Sequence, residues 1–539
     1  MKSSDYKADA ELAKKLLDNI SPTMCLAKWN QVSLHLPTGM TNSCYHPPLH
    51  NIDAGALEKN PAALHNTAEK LDQRFKMLQG ERPDGCSYCW KMEDTGEMSD
   101  RHYRSGEPWA MQDFEAIKQN PMTTSWTPRY VEVNFNNACN FKCSYCSPQF
   151  STKWGQETER YGQYPTSPPH NAPEHFQGRR RPIPHREDNP YVNAFWKWWP
   201  TLYKNLKHFR MTGGEPMMDK NTYKVFQYII DNPKQDLHLN ITSNMCPPDP
   251  KLKAKYFNML QQICLQDKVE HVMQFVSVDA FGKQAEYIRN GLDFNYMMDN
   301  VEEFLDRIPY RNSVTFIITY NNLSITSMDK LLAKILELRK SYSKDYQRVW
   351  FDVPLLRQPK WQQITLLPQA YQAIHEANID YMRVNSGENN GLHIFKDFEI
   401  QKMLRNLAYW KKNADASAEQ KKNFYAFFNE HDRRRGTNFL NTFPEMEEFY
   451  MSMKQVLICH GCSFTRWKWH TWPTFLHWFD KTNILNFGHV GSGNETISRE
   501  VVHSVYKYNK QIKHMYVMWS GPDRYEVIQD GDKETIAEP

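Results

Sequence analysis

At 539 residues the chain has room for two to four domains and a sizeable core. Lys and Arg (66) nearly cancel Asp and Glu (62), and a formal charge of +4 gives no argument for nucleic acid or an anionic membrane as the main partner. No apolar run approaches the roughly 20 residues of a membrane span, and the N-terminal MKSSDYKADAELAKKLLDNI lacks the apolar core of a signal peptide, so the expectation is a soluble cytoplasmic protein without membrane contact.

Eleven cysteines on such a chain argue for metal ligation or catalysis rather than a disulfide scaffold, and seven of them precede position 147. Residues 1–110 read as loop-rich, with many Pro, Gly and Asn. Within them Cys25, Cys44, Cys86 and Cys89 follow the pattern C-x18-C, a 41-residue gap, then C-x2-C. Four thiols can fully coordinate either zinc or an iron–sulfur cluster, and the spacing leaves both open.

From about 129 the texture changes. Six β-type runs follow: 130–135 (YVEVNF), 207–212 (KHFRMT), 236–242 (DLHLNIT), 271–278 (HVMQFVSV), 313–319 (SVTFIIT) and 348–355 (RVWFDVPL). Stretches 219–231, 283–308 and 326–341 between them carry apolar residues at helical spacing. Such alternation predicts an α/β domain with a parallel sheet, open or partly closed as a (β/α)6 barrel. The Arg-, Pro- and His-rich stretch 151–194 reads as an exposed excursion. Residues 396–450 look helical and charged, and a smaller α/β segment opens at 455 (QVLICHG).

Cys139-Asn-Phe-Lys-Cys143-Ser-Tyr-Cys146 follows the first of the six runs directly. Three thiolates on one loop can hold three corners of a cubane cluster and leave one iron open for chemistry. A structural zinc site completed by a distant Cys or His is the alternative. The motif CxxxCxxC, with Tyr145 before its last cysteine, resembles the signature of the radical S-adenosylmethionine superfamily. That resemblance implies a partial (β/α)6 TIM-like barrel and a 4Fe–4S cluster on Cys139, Cys143 and Cys146 as the catalytic centre. It also implies S-adenosylmethionine on the fourth iron, reductive cleavage to a 5′-deoxyadenosyl radical, and abstraction of a substrate hydrogen.

Thr212-Gly213-Gly214-Glu215-Pro216 resembles the family's GGEP motif, which implies that Gly213, Gly214 and Glu215 contact the methionine ammonium; the other reading is a plain turn. Ser243, Asn244, Ser277 and Asp279 end the third and fourth runs and suit the ribose hydroxyls, and Arg289 suits the methionine carboxylate. The segments around Cys25, Cys44, Cys86 and Cys89 resemble auxiliary-cluster modules of the twitch and SPASM type, here preceding the radical domain. Cys246 and Cys264 read as isolated small hydrophobes.

Near the C-terminus, Gly461-Cys462-Ser463, then Gly491 and Asn494, resemble the opening blocks of SGNH/GDSL hydrolases with Ser463 as nucleophile. The third block reads Gly-Pro-Asp, and the Asp and His expected further on are not found before Pro539, so the segment is expected to be inactive. Cys459-His-Gly-Cys462 with His470 and His477 is a metal half-site as the alternative. Trp467, Trp469, Trp472 and Trp478 read as packing, and Arg179, Arg180 and Arg181 as a solvated loop.

The expected division is therefore 1–115 (auxiliary cluster), 125–380 (barrel), 381–450 (helical linker) and 455–539 (incomplete hydrolase-like segment). The expected activity is an oxidoreductase of the radical S-adenosylmethionine class. It is served by an electron donor such as flavodoxin or ferredoxin and acts on a peptide, a protein or a small molecule. A non-catalytic zinc or iron–sulfur protein, or an esterase working through the C-terminal segment, are the competing readings.

Overall fold

The computed structural model describes residues 3–176, 181–387, 391–414 and 417–453, then 456–461, 465–466, 471–473, 483–489, 492, 494–508, 512–519, 524–529 and 532–537. Two compact units result. The first is Met1–Tyr164, Pro168–Thr365 and Gln369–Asp415; the second is Pro165–Ser167, Leu366–Pro368 and Ala416–Pro539.

The first unit holds β1 (Gln31–His35), β2 (Met40–Asn42), β3 (His50–Asn51), β4 (Tyr130–Asn134), β5 (Lys142–Cys143), β6 (His208–Thr212), β7 (Lys234–Ser243), β8 (Val269–Ser277), β9 (Arg289–Asn290), β10 (Asn312–Ile317) and β11 (Val349–Asp352). One nine-stranded sheet runs β11-β10-β8-β7-β6-β4-β1-β2-β3. It is parallel from β11 to β1, and β2 and β3 add antiparallel at the edge. The protein is thus α/β with a large parallel sheet, and all six runs expected from the sequence are strands. Strands β1 to β3, two to five residues long, lie in the stretch read as loop.

Alternate residues of each strand face opposite ways. Val131, Val133, Phe209, Met211, Leu239 and Ile241 are buried on one face, where Phe209 packs 4.9 Å from the Trp199 ring of helix Pro190–Asn205. The other face carries Tyr130, Glu132, His208, Arg210, His238, Thr242 and His271. A parallel sheet buried in apolar layers on both faces reads as continuous Val, Ile and Leu; here alternation marks one face as polar. On it His208 and His238, in register, stack at 4.6 Å, with Tyr130 5.5 Å beyond His208. Burial lowers His208 to about 3 and His271 to about 4. Arg210 donates to Thr242 Oγ1, pairs with Glu132 at 3.5 Å and lies over the Phe275 ring.

Helices that follow the strands start on side-chain caps. Asn189 accepts from Tyr191 N and Val192 N ahead of Pro190. Asp219 accepts from Asn221 N, Asp249 from Lys251 N and Asp293 from Tyr296 N. Each is worth about 1 kcal/mol, and each starts its helix just after a chain reversal, which leaves the strand ends free to carry side chains.

In the second unit, helix Ala418–Arg435 precedes β12 (Val456–Gly461), β13 (Asn483–Asn486), β14 (Ile512–Met518), β15 (Arg524–Gln529) and β16 (Asp532–Ala537). β12 is the centre of a three-stranded parallel sheet; β15 and β16 pair antiparallel. Among the described residues no helix is long and apolar enough to cross a membrane.

Candidate active site and a second thiol cluster

The cysteine loop leaves the end of β4 and is tied down at nearly every carbonyl. Thr152 Oγ1 donates to Cys139 O, Ser151 Oγ to Phe141 O, Trp154 Nε1 to Cys143 O (2.9 Å) and Asn171 Nδ2 to Cys146 O (3.1 Å). Asn140 Nδ2 donates to Cys246 O at 2.8 Å. Within the loop, β5 pairs with β9, setting Cys143 opposite Arg289. Ser144 Oγ donates to Gln362 Oε1, and Gln362 Nε2 returns a bond to Ser144 O. Cys139, Cys143 and Cys146 remain partly exposed on this fixed frame.

Gly213-Gly214-Glu215-Pro216 sits directly beside the loop. Gly214 N donates to Asn136 O and Glu215 N to Ala138 O, the latter at 2.7 Å. A Cβ on Gly214 would lie 2.3 Å from Ala138 O, and Gly213 has φ of +114°, so both positions require glycine. The Glu215 carboxylate accepts from Met217 N, Ser243 Oγ and Asn244 N. Burial raises its pKa against the pull of those three donors. Asn244 Nδ2 then donates to Asn140 Oδ1, closing a ring from cysteine loop to β6 to β7 and back.

Asp279, fully buried after β8, accepts from Tyr145 OH (2.8 Å), Thr319 N (2.9 Å) and Arg289 Nη2 (3.0 Å). Arg289 Nη1 lies 3.6 Å from Cys143 Sγ. Burial works to lower the Arg289 pKa, but Asp279, Tyr145 and Cys143 together outweigh it and raise it. Asp279, assigned from the sequence to the ribose, and Arg289, assigned to the methionine carboxylate, thus bond to each other; Ser277 ends β8 beside them.

The donor set fits an iron–sulfur cluster. Burial, then Cys143, raises Cys139 well above the usual thiol range and pushes Cys146 up to about 12, so a bound cation would be what draws these two thiols into the thiolate form. Among the described residues no three His, Cys, Asp or Glu side chains already converge on one metal position. Gln362, Asn171, Trp154 and Thr319 were not legible as site residues. Asn140, inside the motif, was the one available signal.

The chain is 27% identical over 115 residues to GTP 3′,8-cyclase of Campylobacter lari. The stretch is 21% of this chain and covers 27% of that protein, so the chain matches about a quarter of the length of this curated relative. No family model matches.

The four N-terminal thiols share a cavity without converging on one metal position. Cys25, Cys44, Cys86 and Cys89 line one cavity of about 30 Å³. Cys86 closes a 3-10 turn and Cys89 lies in helix Ser87–Glu93, so C-x2-C sets both on one side. Cys44 follows β2, and Cys25 precedes helix Ala27–Asn30. Burial, then Cys44 and Cys86, raises Cys25 to about 11; burial, then Cys25, raises Cys89 to about 12. Four thiols on one cavity, which Lys28, His46, Asp100, Arg101 and Arg104 also line, are a donor set for zinc or an iron–sulfur cluster alike.

Cys246, whose Sγ faces Asp293 O, and Cys264 are buried singly. In the second unit Cys459 is buried and His460 Nε2 bonds Ser504 Oγ, while Asn494 opens helix Asn494–Tyr508. Cys462, Ser463, His470, His477, Gly491, Trp467, Trp469, Trp478, Arg179 and Arg180 lie outside the described residues, as does the Gly-Pro-Asp block.

Proposed function

We propose that the chain is a radical S-adenosylmethionine enzyme whose first unit, read as a partial (β/α)6 barrel, carries a 4Fe–4S cluster on Cys139, Cys143 and Cys146. The observation that carries this reading is the rigid three-thiol loop hydrogen-bonded to Gly-Gly-Glu-Pro at the strand ends. The likeness to GTP 3′,8-cyclase, a radical S-adenosylmethionine enzyme, supports the class and carries no substrate with it. When bound, the cluster and S-adenosylmethionine supply one-electron cleavage of the sulfonium and a 5′-deoxyadenosyl radical that takes a hydrogen atom from the substrate.

The chain's own residues prepare that chemistry. Gly213 and Gly214 bring backbone close enough to meet a methionine ammonium, and Glu215 fixes their turn between β6 and β7. Ser243, Asn244 and Ser277 stand at the same end of the sheet, where ribose hydroxyls would be received. Arg289 and Asp279, paired with each other, hold Tyr145 and offer a donor to Cys143 Sγ. The substrate is read as a peptide, a protein or a small molecule. Cys25, Cys44, Cys86 and Cys89 form an auxiliary centre of iron–sulfur or zinc, and an external donor of the flavodoxin or ferredoxin kind brings the electron in the cytoplasm.

The test is anaerobic reconstitution with iron and sulfide, reduction by dithionite, and assay for 5′-deoxyadenosine. Cys143→Ala is expected to abolish that product with secondary structure unchanged by circular dichroism. Retained cleavage in this variant would sink the ligand assignment. Bound zinc with neither iron nor cleavage in the native sequence would favour a non-catalytic metal protein.

A further inference from the structure

Around the four-cysteine cavity the charges do not balance. Arg101 pairs with Glu93 at 2.8 Å, Arg104 with Glu107 and His46 with Asp100. Lys28, Lys70 and Arg74 have no carboxylate partner among the described residues, yet Lys70 and Arg74 are fully buried and Lys28 nearly so. Their bonds go to neutral groups only. Lys28 Nζ donates to Gln73 Oε1 (2.7 Å), and Lys70 Nζ to Gln31 O (3.1 Å) and His65 Nδ1 (2.7 Å). Arg74 donates to Lys28 O and Asn66 Oδ1 and lies over the Trp29 ring.

Burying a cation without an anion costs several kcal/mol even after relaxation. Three together need compensation from close by. Lys28 is itself a wall of the cavity, and its charge acts on Cys25 and Cys44, as that of Cys44 acts on Lys70. Four thiolates around a divalent ion, or around a cubane of charge 2+, carry a net charge of about −2, and a reduced cubane about −3.

We infer that Lys28 and Lys70 are the counter-ions of an anionic metal–thiolate centre held by Cys25, Cys44, Cys86 and Cys89, a role that rests on reading those four thiols as metal ligands. The cations and the centre need each other. Without metal, four protonated thiols leave Lys28 without an anion, and burial drives Lys70 toward its neutral amine. With it, the cations favour the more negative state of whatever centre is bound.

The test compares native protein with Lys70→Met, each metal-loaded and chelator-stripped, by thermal unfolding and limited proteolysis. The substitution is expected to lower stability of the loaded protein and raise that of the stripped protein, a reversal of sign that a packing role cannot produce. If the centre is iron–sulfur, its midpoint potential falls in the variant while that of the second cluster stays put. If it is zinc, affinity drops by at least about tenfold. Lys28→Gln, at the cavity wall, repeats the comparison should Lys70→Met not fold. The same sign in both states, or an unmoved potential or affinity, would overturn the counter-ion role. Metal content equal in native protein and in a Cys86→Ala/Cys89→Ala variant would overturn the ligand reading itself.

Discussion

Asp219 is buried at the start of helix Lys220–Asp231, and burial raises its carboxyl to about 6 despite the two bonds it accepts from Asn221. A raised carboxylate pKa means the ionised form is disfavoured in the fold. The associated stability is complete below the unfolded value near 4 and is lost as pH rises through about 6. Asp219→Asn keeps the acceptor for Asn221 N and removes the charge. It should therefore stabilise the protein at pH 7.5 by up to about 3 kcal/mol and change little at pH 4, as denaturant titrations at the two pH values would read. At this scale the sequence was most legible where chemistry sits in spacing. The cysteines and the double glycine declared themselves, because loop ligands must be near in sequence to be near in space. Partners such as Gln362 did not, since nothing local marks a glutamine that reaches Ser144 from 218 positions away. The same holds for Arg289 and Asp279. Each was recognised as polar at a strand end, but only folding reveals that they satisfy each other.

Among elements, the turn 213–216 has least room to vary. Gly214→Ala would drive a methyl into Ala138 O, forcing the turn away from the cysteine loop at a cost of about 1–3 kcal/mol. The expected result is a folded protein that retains little iron at the central loop after reconstitution, measured by iron and sulfide analysis beside circular dichroism. Full iron content would mean the two segments move independently. Six strands were readable because Val, Phe, Met and Ile alternate with polar residues over five or more positions. β1 was missed although Gln31–His35 alternates too, because its pairing depends on β4, almost a hundred residues later.

Taken whole, the molecule keeps every cysteine of both candidate centres in one of its two units. A chain ending at residue 414 is thus expected to bind as much iron and sulfide as the full chain. Its cost is confined to segments such as 165–167, where Ser167 N and O lose their bonds to Asn423. Loss of iron on truncation would tie the second unit to cluster binding. The parallel sheet followed from strand–helix alternation, whereas the division into units rests on 165–167 and 366–368 joining residues after 416, a non-local pairing that no periodicity announces.

The bond between Ser144 and Gln362 also sets a calendar. A ribosome finishes all four N-terminal thiols by residue 89, and early segments generally fold first. The central loop gains its last clamp only after nearly three hundred further residues have emerged. The two thiol sets therefore emerge and are clamped at different moments in the life of the nascent chain, the N-terminal four first and the cysteine loop last.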